Sequence, residues 1–221
     1  MTELAEPVPS APVRPRAGML PPSEANRLRE RRHRAVLAAA DEIFASNGFH
    51  GTCMDDVAAH AHVSKPLLYQ HFPSKVELYL AVVQNHVDAL VAVVRDALGA
   101  TTGSRQRVYA AVAAYFDFID RDPHGYRLLF EADPSVDPRV HRSIRAGNQA
   151  CIDAICAALL CGSELDPKRA RVLAVGLAGA SRVTARHWLE SGFRLPKQDA
   201  VETTVALCWG GLSAVGTTKR T

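Results

Sequence analysis

No stretch of this sequence stays apolar for the roughly 18 residues that a membrane span requires. The N-terminus also lacks the apolar core of a secretion signal, so the chain is expected in the cytosol with no membrane partner. Cysteines are sparse and odd in number: Cys53, Cys151, Cys156, Cys161 and Cys208. That argues against a disulfide framework and for small free thiols packed as hydrophobes, with Cys53 expected beneath the first domain. Three of them recur every five residues, which turns each about 140° from the last on a helix, so they form no three-thiolate site. His50, His60, His62 and His71 gather in sequence, but 60 and 62 do not share a helix face and no standard-spaced cysteine or carboxylate completes a metal set.

Enzyme signatures are missing too. There is no glycine-rich phosphate loop, no nucleophile elbow and no paired metal-binding histidines. Asp117 and Glu131 stand in apolar surroundings but read as exposed or capping acids. No enzyme, no metal and no cofactor is expected. Strand-like alternation is missing as well, and the Val-Ala runs are too long and too rich in alanine for strands. The fold class is all-α.

What is present is unevenly placed. The whole formal charge of +3 sits in residues 1–34, where seven arginines face four acids. Residues 1–26 are rich in proline and poor in large apolar groups, and so read as a disordered basic arm. The arginine block over 14–34, with Arg14, Arg16, Arg27, Arg29, Arg31, Arg32 and Arg34, reads either as a phosphate-binding arm or as a solubilising tail.

A helical pattern starts near Asn26 with Leu28, Val36, Leu37, Ala40, Ile43 and Phe44, and ends at Gly48. A short helix follows, with Thr52 placed as its N-cap and Asp55 placed to reach back. His62-Val63 breaks the pattern. Ser64 heads a third helix, Pro66 sits in its first turn, and Leu67, Leu68 and Phe72 anchor it. Ser74 is placed to cap a long helix over about 75–98. Further helices are expected at 105–121, 123–132, 138–161, 167–191 and 197–215. The division is an arm at 1–26, a helix-turn-helix unit at 27–74 and a larger helical unit at 75–221.

The third helix puts Lys65, Pro66, Tyr69, Gln70 and His71 on a short element held by apolar anchors, which suits base edges and phosphates. The run Gly48-Phe49-His50-Gly51-Thr52, then Asp55-Asp56-Val57-Ala58, then Val63-Ser64-Lys65-Pro66-Leu67-Leu68-Tyr69-Gln70-His71-Phe72-Pro73-Ser74-Lys75 resembles the DNA-binding domain of TetR-family regulators. The resemblance implies a double-stranded DNA operator as partner. It implies base contacts for Lys65, Pro66 and Tyr69, and phosphate contacts for Thr52, Gln70, His71 and Lys75. Ser64 is counted with these. Leu67 departs from the small or polar residue usual there, and either meets a thymine methyl or packs.

The family pairs such a unit with a helical effector-binding and dimerisation domain, so a homodimer and a small-molecule effector are implied. The apolar helix at 105–121 and the segment after it either fill a core or line a cavity; Tyr115, Phe116, Ile119, Leu129 and Phe130 are the candidate lining. The runs Ser64 to Val91 and Phe116 to Glu131 are similar to actinobacterial regulators of fatty-acid synthesis in this family, which implies an acyl-CoA effector. A drug- or metabolite-responsive repressor is the alternative. The seam between subunits is expected on the last two helices, at Val183, Trp188, Val201, Val205, Leu207, Trp209 and Leu212.

Overall fold

The computed structural model describes residues 22–130 and 136–217. Arg14 and Arg16, most of the expected arm, and Glu131 lie outside the described residues. Within them the chain is helical throughout, in the order α1 (Pro22–Gly51), α2 (Met54–His60), α3 (Lys65–His71), α4 (Lys75–Gly99), α5 (Ser104–Arg121), α6 (Pro123–Phe130), α7 (Pro138–Leu160), α8 (Pro167–Glu190) and α9 (Lys197–Thr217).

Helix α1 begins four residues before the expected start. Pro22 opens it, and a proline's fixed φ suits a first turn. Its regular part ends where expected, because Gly48 has φ 68°, a left-handed conformation that a side chain would strain. Ser74 caps α4 by accepting the Glu77 N–H at 3.2 Å. Asp137 accepts the Arg139 N–H before α7, and Asp166 accepts the Lys168 and Arg169 N–H groups before α8. Both precede a proline at the first helical position. These carboxylates meet the positive ends of the helix dipoles.

One cap differs from expectation. Cys53, not Thr52, precedes α2, and it makes no side-chain cap bond. The Thr52 hydroxyl instead donates back to the Gly48 carbonyl at 2.7 Å. Asp55 does not close a capping box with it but pairs with Lys65. The turn at Gly48 brings that carbonyl within reach of Thr52 and draws its side chain inward.

The long helix α4 packs against α1, α5, α6 and α7. By length and composition it could cross a membrane, but Leu78, Val82, Val83, Val87, Leu90, Val94 and Leu98 are buried in the protein's own core. Gly147 on α7 lets α4 come close: a Cβ there would lie 2.5 Å from Val87 Cγ1. Helix α8 turns Ala170, Ala174, Ala178 and Ala185 inward, and α8 packs on α5, α7 and α9. Trp188 closes that end, its ring 5.7 Å from Phe116 and its Nε1–H donating to the Leu195 carbonyl at 2.7 Å.

The expected seam needs correction. Trp188, Val201 and Val205 are buried within the chain's own core, because α5 covers the inner faces of both α8 and α9. Among the described residues, the exposed large apolar side chains of these helices are Val172, Val175, Val183 and Leu207. Trp209 is half-buried, and the side chain of Leu212 lies outside the described set. Cys53 and Cys161 are exposed, Cys151 is buried, and Cys156 and Cys208 are half-buried; all five are free. The expectation that Cys53 lies under the domain fails because it sits in the turn outside α2.

Candidate nucleic-acid interface and effector region

Helix α3 is only two turns long and is held by its underside. Leu68 and Phe72 are buried together with Val57, Ala58 and Met54 of α2 and Val36, Ala40 and Phe44 of α1. On a 3.6-residue period, positions 66 and 70 fall opposite Leu68 and Phe72 and 69 lies on the flank, whereas 65 stands three residues before Leu68 on its own side. The structure leaves all four exposed, Lys65 because it starts the helix, and Tyr69 at 41%. Ser64 is exposed at the N-cap, where its side chain makes no cap bond. Leu67 and His71 lie between, half-buried.

Two of the sequence-predicted contacts are turned towards the protein. Thr52 is 4% exposed. The Lys75 ammonium donates to the Thr52 carbonyl at 3.0 Å and stands 4.5 Å over the Phe49 ring. Phe49 in turn packs with Phe44 and Tyr79, so Lys75 ties the start of α4 to the turn before α2. Lys65 is held at 2.8 Å from Asp55, both half in solvent, and this partner raises its pKa.

Sequence reasoning left Arg27 to Arg34 as an undivided block. The structure sorts it. Arg29 and Arg32 border a groove of about 520 Å³ with Leu67, Gln70 and His71. An adjoining groove is lined by Asn26, Arg29, Glu30, His33, Gln70 and His71. His33 stacks on Phe72 at 4.9 Å and fixes α1 against α3. Burial, then His33, Arg29 and Arg32, push the His71 pKa down.

The predicted effector residues lie in the interior. Tyr115, Phe116, Ile119 and Leu129 are buried in the main core, and Phe130 packs against it half-buried. The Tyr115 hydroxyl faces the Cys151 thiol, and burial pushes that hydroxyl's pKa well above its ordinary value. Burial lifts Cys151 to about 11, which makes it an inert thiol. The Phe130 ring lies 4.7 Å from Tyr126, with the Arg182 guanidinium 5.6 Å away. Asp117 is occupied structurally, accepting from Lys197 at 3.0 Å.

Sequence reasoning missed one buried polar group. His86 of α4 is 8% exposed. Its Nε2 lies 2.8 Å from Asp41 of α1 and its Nδ1 lies 2.6 Å from Asp122, which precedes α6. The other Asp122 oxygen accepts the Gly125 N–H at 2.7 Å. Burial alone would lower the imidazole pKa; the bonds to Asp122 and Asp41 outweigh it and raise the value to about 9. Asp122 is half-buried, which by itself would raise its pKa, yet the bonds from His86 and Gly125 hold it below the usual carboxylate value. The one hint in the sequence was a histidine inside the apolar stripe of α4.

A two-turn helix with a polar outer face, mounted on a helical pair and joined by a stiff helix to a larger helical body, defines a helix-turn-helix regulator. The chain belongs to the TetR family of bacterial regulatory proteins: residues 36–82 match that family's DNA-binding model and 104–211 match a tetracyclin repressor-like C-terminal domain. It is a DNA-binding transcription regulator and not an enzyme. It is 50% identical to the HTH-type transcriptional activator FasR of Mycolicibacterium smegmatis over 195 residues, 88% of this chain and 89% of the relative.

Two solved structures share the fold at lower identity. One is the regulator FadR from Bacillus subtilis in complex with stearoyl-CoA, with TM-score 0.66 and 15% identity over 79% of this chain and 96% of that one. The other is AibR in complex with isovaleryl coenzyme A and operator DNA, with TM-score 0.63 and 21% identity over 80% and 97%.

Proposed function

We propose that this chain is an acyl-CoA-responsive transcription regulator that controls lipid synthesis. The observation that carries this reading is the apolar interior of α5 and α6, where Tyr115, Phe116, Ile119 and Leu129 are buried together, in a chain half identical to FasR. A long acyl chain needs a lining of this kind. Stearoyl-CoA and isovaleryl coenzyme A, bound by FadR and AibR, fit the same class.

The operator face is α3, with Lys65, Pro66 and Tyr69 on base edges and Gln70 and His71 beside the backbone. Arg29 and Arg32 add charge for phosphates along the same groove. Two such units on a two-fold axis read successive half-sites. The exposed Val172, Val175 and Val183 of α8 and Leu207 of α9 supply the apolar surface for the pairing.

The test is a titration of operator binding with stearoyl-CoA, isovaleryl-CoA and free CoA, alongside native mass spectrometry of the purified protein. A response to stearoyl-CoA and not to free CoA is expected, and Leu129→Trp should blunt it while leaving operator binding near native. Response to none of the three would favour the alternative of a non-lipid metabolite. Light scattering that shows a monomer at micromolar concentration, on or off DNA, would remove the paired reading.

A further inference from the structure

The junction between the helix-turn-helix unit and the rest of the protein holds one buried charged group. Helix α1 rests on α4 and α6, and the contact is not continuous. A cleft of about 380 Å³ opens between the end of α1, Tyr79 of α4, and His124, Arg127 and Leu128 of α6. A second, of about 310 Å³, opens between α1 and α4 and is bordered by Arg34, Asp41, Asn85 and His86. Where apolar packing is interrupted by open space, relative motion is opposed less by close packing and more by specific bonds.

At this junction His86 spans the gap. One ring nitrogen reaches Asp41 on α1 and the other reaches Asp122 at the head of α6. Both nitrogens donate only when the ring is protonated. Such charge-assisted bonds are short and directional. Gly125 makes the geometry possible: a Cβ there would stand 2.2 Å from His86 Nδ1 and 2.1 Å from Asp122 Oδ2. The first turn of α6 is therefore seated directly on the imidazole. The following residues of α6 include Leu129 and Phe130, so a displacement of those side chains reaches Asp122 through one short helix.

We propose that His86 is a positioning residue that couples the effector domain to the DNA-binding unit, by holding Asp122 of the α6 corner and Asp41 of α1 on a single imidazolium. A ligand that moves α6 lengthens the bond to Asp122. The imidazolium then loses one counter-charge, its hold on Asp41 weakens, and α1 is freed to turn with the recognition helix. Arg34 on α1, and His124 and Arg127 on α6 in the neighbouring cleft, are further titratable or charged groups at this junction. The two that act on the imidazole are Asp122 and Asp41. The inference rests on the acyl-CoA reading only for the ligand that would move α6.

The test uses the full-length protein and Asp41→Asn, which removes one counter-charge and leaves the shape. Hydrogen exchange is followed without ligand. Exchange in residues 123–130 should rise at least about fivefold in the variant, although the bond of Asp41 ends at His86. In NMR, the His86 imidazole should titrate high in the wild type and nearer its ordinary value in Asp41→Asn. An unchanged rate in 123–130, or a rise spread evenly over the whole chain, overturns the proposal.

Operator affinity is then measured with and without stearoyl-CoA. The ratio of the two should fall at least about fivefold in Asp41→Asn, whose ligand-free affinity should shift towards the value that stearoyl-CoA gives the wild type, because α1 is already freed. Gly125→Ala, which forces the joint from the α6 side, should give the same loss. An unchanged ratio in both variants also overturns it. If the wild type does not respond to stearoyl-CoA, the acyl-CoA reading fails and the exchange measurement alone decides the role of His86.

Discussion

Helices α3 and α5 put their sequences to opposite use. Helix α3 buries Leu68 within its span and offers solvent four of its seven residues. Helix α5, at 18 residues, buries Val108, Val112, Tyr115, Phe116, Phe118, Ile119 and two of its alanines almost completely. In α3 the anchors and the functional groups are different residues, so binding can change while stability holds. In α5 the residues that would line a ligand site are the residues that build the core, so recognition and stability change together.

The largest effect should come from the α5 side. Phe116→Ala removes a fully buried ring that packs on Trp188 and should cost about 3–5 kcal/mol of unfolding free energy in urea titration. A cost below about 1 kcal/mol would mean that α5 is looser than its burial implies.

The next effect is a pH dependence in the junction that joins the two regions. The folded pKa of His86 is raised from 6.5 to about 9. Its stabilisation is therefore full below the unfolded value and is lost as pH rises through about 9. The whole difference is on the order of 3 kcal/mol. On the acid side the same bond fails when Asp122 is protonated, below its depressed pKa. Unfolding free energy should thus fall between pH 6.5 and 9 in the wild type and stay flatter in His86→Gln. Equal slopes in the two proteins would show that the ring carries no buried charge.

Smaller effects belong to α3. Tyr69→Ala and Lys65→Ala should each cost about 1–3 kcal/mol of specific operator binding, with the melting temperature almost unchanged. If either lowers the melting point as much as Phe116→Ala does, the contrast between the helices is false. Arg29→Ala and Arg32→Ala should do least to stability. Each should reduce the slope of log affinity against log salt by about 1, equally for specific and random DNA. A slope that does not move would take those arginines off the phosphate backbone.

Much of the fold was readable because the relevant signals are local. The cap at Ser74 and the turn at Gly48 act within three or four residues. Thr52 shows the limit of that reasoning. A threonine before a short helix is a good N-cap, but a glycine-permitted turn offered its hydroxyl a nearer carbonyl. The seam residues show another limit. Trp188, Val201 and Val205 have the character of an interface in sequence, and only the position of α5 decides that they are already covered.

The sequence by itself determined that the chain is helical, where most helices begin and end, and that Pro66, Tyr69 and Gln70 of α3 face outward, though not that His71 turns half inward. Those properties follow from spacing over one or two turns and from hydrogen bonds between near neighbours. Only the tertiary structure decided that Arg29 and Arg32 share a groove with Gln70 and His71, and that Lys75 holds the Thr52 carbonyl. It alone placed His86 between Asp41 and Asp122, residues 45 and 36 positions away. Contacts of that span depend on how whole helices pack, and no local pattern in the chain encodes them.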